Sequence, residues 1–249
     1  YFLHYVTQSV KYDTIIHNIH EKTLKSLKNS CRLKEKTIPV NRSGPKLVVN
    51  AYKSGIFQGF QQDGLITLCA ELQIVIHFHY PIGTAVIENT AILDIEGNIS
   101  LTDKFKNELA DLIDIHGGQD IMSNSYFGFR QLMEVAVRAL SPGINDSGTA
   151  ILSLQSLGRL LSFCLNNYPD ANIKDKENTV RIVTREWTFD EIFEDCIYPI
   201  WDYGKEDRML VKELKHTLLQ LQQIKSSPKI IDMLAKIERL KNFDPTLMG

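Results

Sequence analysis

No run of about 20 apolar residues occurs in the 249-residue sequence, so no segment of it crosses a bilayer as a helix by itself. The four cysteines, Cys31, Cys69, Cys164 and Cys196, are far apart and form no CxxC pair. That spacing argues against structural zinc and points to a reducing compartment. Neither sign of charge dominates: 28 Lys and Arg stand against 30 Asp and Glu, a formal net charge of −2. A general basic surface is missing, and with it the usual electrostatic footprint of a nucleic-acid partner. The chain also lacks GxSxG, a P-loop, a GxGxxG after a strand, and HExxH. No nucleophile, cofactor or metal is therefore expected, and the reading leans away from an enzyme. No signal peptide is expected from these residues. The sequence opens at Tyr1 rather than a methionine, so it is expected to be a piece of a longer protein.

What is present suits a globular protein. About 43% of the residues are hydrophobic and 23% charged, enough to bury a sizeable core. Residues 2–29 read as an amphipathic helix, with Tyr5, Tyr12, Ile16 and Ile19 on one face. Its polar side gathers Lys11, Lys22, Lys25 and Lys28, followed by Arg32, Lys34 and Lys36. A solvated face explains such a run; so does a juxtamembrane position on the cytoplasmic side. The stretch 37–46, TIPVNRSGPK, is a linker. Residues 45–99 then read as a small β-rich module, barrel-like or sandwich-like. Strands are expected in 47–60, 74–81 and 83–97, split by Asn89, with one helix over 63–73 capped by Asp63. From Ser100 onward the pattern is helical, beginning with a helix over 103–115 capped by Thr102 or Asp103 and closed at Gly117. Further helices are expected at about 188–200, 205–226 and 228–241, with a polar loop at 168–178. The fold class is thus α+β, mostly helical, divided into 1–44, 45–99 and 100–249.

One stretch concentrates the chemistry: FGFRQLMEVAVRALSPGIND, residues 127–146. Arg130, Glu134 and Arg138 recur every fourth residue within an apolar helix, so Glu134 can pair with both arginines. Such charges are costly to bury unless paired. A structural ladder, a register device at a subunit interface, and an arginine site for a small anion are the three readings. Pro142 stops the helix, Gly143 permits a positive φ, and Asn145 or Asp146 caps the next helix. The result is a tight corner at the centre of a helix pair over 123–165, with Ala139, Gly148, Ala150 and Gly158 allowing close approach. DSGTA, 146–150, imitates an aspartic-protease motif, but it occurs once and opens a helix rather than following a strand. His77 with His79 on a strand, and His17 with His20 on a helix, could begin metal sites, yet neither pair has further ligands nearby in sequence. The acidic FDEIFEDC, 189–196, reads as a helix start.

The stretch FGFRQLMEVAVRALSPGINDSGTA closely resembles the signature of a bacterial family of predicted membrane proteins, domain of unknown function 2254 (DUF2254). HYVTQSVKYDTIIHNIHEKTL resembles the family segment that leaves the last transmembrane helix. SGIFQGFQQDGLITLCAELQIVIHFHYPIGTAV resembles its small β module, and WTFDEIFEDCIYPI its late helical part. Ser147 departs from the proline often found after the Asn-Asp pair. The resemblance implies the cytoplasmic portion of an inner-membrane protein, tied to the membrane by a preceding transmembrane region. It implies no reaction. The combined expectation is a non-enzymatic, homo-oligomeric module associated with a channel or transporter. Arg130, Glu134, Arg138, Asn145 and Asp146 would organise the assembly or line a central path. A ligand-sensing domain that binds an anion, or a hydrolase acting on lipid or phosphate, are the alternatives.

Overall fold

The structure, a computed structural model, describes residues 2–36, 39 and 46–243, with side chains described for 12–36, 39 and 46–240. The linker at 37–46 and the Tyr5 and Lys11 positions of the first helix face therefore lie largely outside the described residues or side chains. In chain order the first elements are α1 (Phe2–Ser30), β1 (Lys46–Asn50), β2 (Gly55–Phe60), α2 (Gln62–Glu71) and β3 (Val75–Phe78). Next come β4 (Ala85–Val86), β5 (Ala91–Glu96), α3 (Asp103–Leu112), β6 (Ile113–His116), α4 (Ser125–Ala139) and α5 (Ser147–Cys164). The last are β7 (Asn172–Lys174), β8 (Val180–Val183), α6 (Phe189–Gly204), α7 (Arg208–Ile224) and α8 (Pro228–Phe243). They sort into two compact units: a helical one from 1–29, 125–167 and 188–249, and a β-rich one from 30–124 and 168–187.

In the β-rich unit the alternation of apolar residues builds two open sheets, ordered β1-β5-β3-β8-β7 and β4-β2-β6. The barrel-like expectation is corrected here: neither sheet closes on itself. The strands are too short and split between two sheets, and β8 joins β3 in parallel from about a hundred residues downstream. The all-helical reading after Ser100 is corrected as well. α3 ends at Leu112, and IDIH continues as β6, antiparallel to β2, before Gly117 is reached. Ile113 and Ile115 point inward while Asp114 and His116 face out, a period of two inside a helix-like context. TVRIV supplies β8. Asp63 is not the cap of α2; Gln61 holds that position without a side-chain capping bond, and Asp63 lies in the first turn. Thr102 caps α3, accepting from the Phe105 N–H. Phe57 and Phe60 stack on Phe78 at 5.2 and 4.8 Å between ring centroids, at the middle of the core. Gly59 takes φ +118°, which a β-bulge in β2 requires.

In the helical unit, α4 packs on α5 and α6, α5 on α7, and α8 on α6 and α7. Cross-helix contacts fix the directions. Tyr126 near the start of α4 meets Asp195 in the first half of α6, while a β-carbon at Gly204 would meet Leu140 at their ends, so α4 and α6 run parallel. Ser147 bonds Asp207 and Gln155 bonds Glu213, so α5 and α7 run parallel too. Two helical hairpins thus lie side by side, and the α4–α5 corner touches the α6–α7 corner. Capping explains the boundaries: Thr188 and Glu191 form a capping box on α6, Asp207 caps α7, and Pro228 opens α8.

Candidate functional site: the outer stripe of α4 and its corner

α4 buries one stripe and presents another. Phe129, Leu132 and Ala136 are fully buried, with Tyr126 and Ala139 nearly so. The opposite stripe carries Arg130, Glu134 and Arg138. An Arg130 amino group (Nη2) stands 3.6 Å from Glu134 Oε1, and Nη2 of Arg138 stands 3.6 Å from Glu134 Oε2. The side chains are 43%, 43% and 77% exposed. Both arginines share one carboxylate at ion-pair rather than hydrogen-bond distance, so the stripe carries net positive charge and keeps guanidinium donors available.

One turn before the ladder, a partly buried contact joins α4 to α6. Tyr126, four residues before Arg130, donates its hydroxyl to Asp195 Oδ2 on α6 at 2.5 Å. Burial pushes the Tyr126 phenol well up, and the bond to Asp195 adds to that. Burial does the same to the Cys196 thiol, with Asp195 reinforcing it. The Arg130 charge opposes both shifts in small part. The Tyr126–Asp195 bond thus joins α4 to α6 one turn before the Arg130–Glu134–Arg138 ladder begins. Asp195 was legible only as part of an acidic helix start. Tyr126, at the same fourfold spacing, was the available signal.

At the corner, Asp146 caps α5: its Oδ1 accepts from the Thr149 N–H at 3.1 Å and its Oδ2 from the Thr149 hydroxyl at 2.6 Å. The Asp146 N–H in turn donates to the Ala139 carbonyl at 2.8 Å, tying the two helices together. The left-handed residue is Asn145, φ +49°, and not Gly143 as expected. Asn tolerates this conformation because its short polar side chain bonds locally. Asn145 is exposed, so its place in the site is that of a turn former. Gly158 also departs from expectation: a β-carbon there would strike Thr217 of α7 rather than α4. The close approach on α4 is at Gly128, where a β-carbon would collide with Thr23 of α1. α4 and α5 are joined instead by Ser153, whose hydroxyl donates to the Leu132 carbonyl at 2.6 Å.

The histidines are dispersed. His77 on β3 and His79 just beyond its end each turn to a different carboxylate of β5: Glu96 at 3.2 Å and Asp94 at 3.0 Å. Burial lowers the His77 pKa, partly offset by the bond to Glu96. His20 is buried in the helical unit while His17 is exposed. Among the described residues no three His, Cys, Asp or Glu side chains gather in a way that would hold a metal ion.

A sequence model of the family described as Predicted membrane protein (DUF2254) matches residues 1–220. The chain belongs to the DUF2254 family. No curated protein and no solved structure matches it. Among the described residues, no helix is long and apolar enough to cross a membrane. The α4 stripe and its corner both fall within the matched residues.

Proposed function

We propose that this part of a DUF2254 membrane protein is an assembly module, non-enzymatic and cytoplasmic, in which copies of the chain associate through the outer stripe of α4. The observation that carries this reading is the ladder itself. It combines net positive charge, alternating sign and partial exposure on a helix whose residues from Ser125 to Val137 are all at least half-buried. Placed against a second copy, Glu134 would reach a partner arginine that its own chain only half satisfies, which sets register. The cytoplasmic side is supported by exposed Lys22, Lys25 and Lys28 on α1, the charge bias found inside a membrane. A module of this kind would organise a channel or transporter in an inner membrane.

A second reading has its own support. Among the described residues neither Arg130 nor Arg138 donates a hydrogen bond, which suits capture of a small anion and a sensing role. Sedimentation velocity on the chain with Gln at positions 130, 134 and 138 separates them. Loss of a wild-type oligomer, with the helical circular-dichroism spectrum of the folded chain retained, is the result expected for assembly. A wild-type monomer whose stability rises with added phosphate, and whose Gln variant does not respond, points to sensing instead.

A further inference from the structure

The β-rich unit holds two adjoining cavities of opposite character. One, of about 410 Å³, lies between β1 and α3 and is walled by Val48, Val49, Ala51, Ile92, Leu109 and Ile115. Its polar members are Asn50, Tyr52, Asn89 and Lys106, and the last is paired with Asp103 at 3.4 Å. The other, of about 750 Å³, is ringed by Lys53, Gln58, Gln61, Asn107, Asp111 and Asp114. Both are lined by Tyr52, Ala110 and Ile113, so they abut along that seam. The Tyr52 hydroxyl donates to the Ile113 carbonyl at 2.9 Å, and the Lys53 ammonium sits 5.2 Å from the centre of the Tyr52 ring. Both volumes lie within the range of small-molecule sites, about 300–1,000 Å³.

We propose that this double cleft binds a single-chain amphiphile with an uncharged, hydroxyl-bearing head, of the monoacylglycerol class. The apolar cavity takes the chain, whose transfer from water is favourable in proportion to the area it buries. The polar cavity takes the head. Three carboxamides and two carboxylates there offer acceptors and donors for hydroxyls, whereas one lysine against two aspartates disfavours an anionic head. A wholly apolar ligand would leave the polar cavity unused, and a wholly polar one the apolar cavity. The inference is independent of the α4 reading: it concerns another unit and other residues. Membership in a membrane-protein family places such amphiphiles within reach.

The test is isothermal titration calorimetry of the whole chain with monooctanoylglycerol below its micelle concentration, beside glycerol and octyl phosphate. Saturable binding at one site per chain is expected, with glycerol silent and octyl phosphate weaker. Ala110→Phe, on the shared wall, should weaken it by about tenfold or more. Val48→Glu should do the same by placing charge in the apolar cavity; Val48 is 51% exposed, so this variant keeps its fold even if the first does not. Absence of saturable binding overturns the proposal. So does binding that both variants retain at full strength, or tighter binding of octyl phosphate.

Discussion

Asp146 is the residue on which the corner turns. Its carboxylate takes two bonds from Thr149 and its N–H holds Ala139, so Asp146→Ala should cost about 1 kcal/mol, as loss of an N-cap does. Chemical denaturation measures this; an unchanged midpoint would show that the cap is idle. Gly128 makes a sharper case. A methyl group there runs into the Thr23 hydroxyl, which is itself fully buried and bonded to the Ile19 carbonyl at 2.7 Å. Gly128→Ala should therefore destabilise by about 1–3 kcal/mol, the range for overpacking. Adding Thr23→Ala should recover much of that loss, and a double mutant no better than the single one would refute the contact. The two buried histidines predict a pH dependence. Burial is the largest cause of the lowered pKa at both His20 and His77, so the folded state takes up protons less readily than the unfolded chain. Stability should fall as pH drops below the ordinary value of 6.5, and His77→Gln should flatten part of that slope. Denaturant midpoints between pH 7.5 and about 5 read this directly.

Among the elements, those bounded by local chemistry were legible. The Thr102 and Asp146 caps, the Pro228 start, and the split at Asn89, which takes φ +66°, all follow from residues within a few positions of the boundary. The strands that escaped notice depend on distant partners. β6 is four residues long, directly continues α3, and becomes a strand because β2 supplies its hydrogen bonds. β7 lies in what read as a polar loop and β8 just after it; β8 takes its register from β3, and β7 takes its own from β8. On α4 the fourfold spacing made the ladder visible, but not which way it faced. That matters energetically. With side chains 43–77% exposed, the two ion pairs belong to the surface class worth about 0–1 kcal/mol rather than the buried class. Replacing Glu134 by Gln should therefore barely move the unfolding midpoint of an isolated chain. A loss of several kcal/mol would mean that the stripe is structural and not free to engage a second copy. The Tyr126–Asp195 bond spans two helices 69 residues apart, a pairing that no local pattern announces.

For the whole molecule, family membership connects the chain to a membrane, while its own described helices are amphipathic rather than membrane-spanning. The sequence resemblance anticipated the family. It could not anticipate that the β-rich unit recruits 168–187 or that two helical hairpins lie in parallel, because both depend on contacts made across the chain. The central claim is that α4 ladders pair between copies, and native mass spectrometry of charge-swapped chains tests it most directly. One variant carries Arg130→Glu with Arg138→Glu; the other carries Glu134→Arg. Each alone presents a stripe of single sign and should remain monomeric, while the wild type forms a discrete oligomer and the mixture forms mixed oligomers. Variants that assemble separately as the wild type does, or a wild type that is monomeric throughout, would contradict the account.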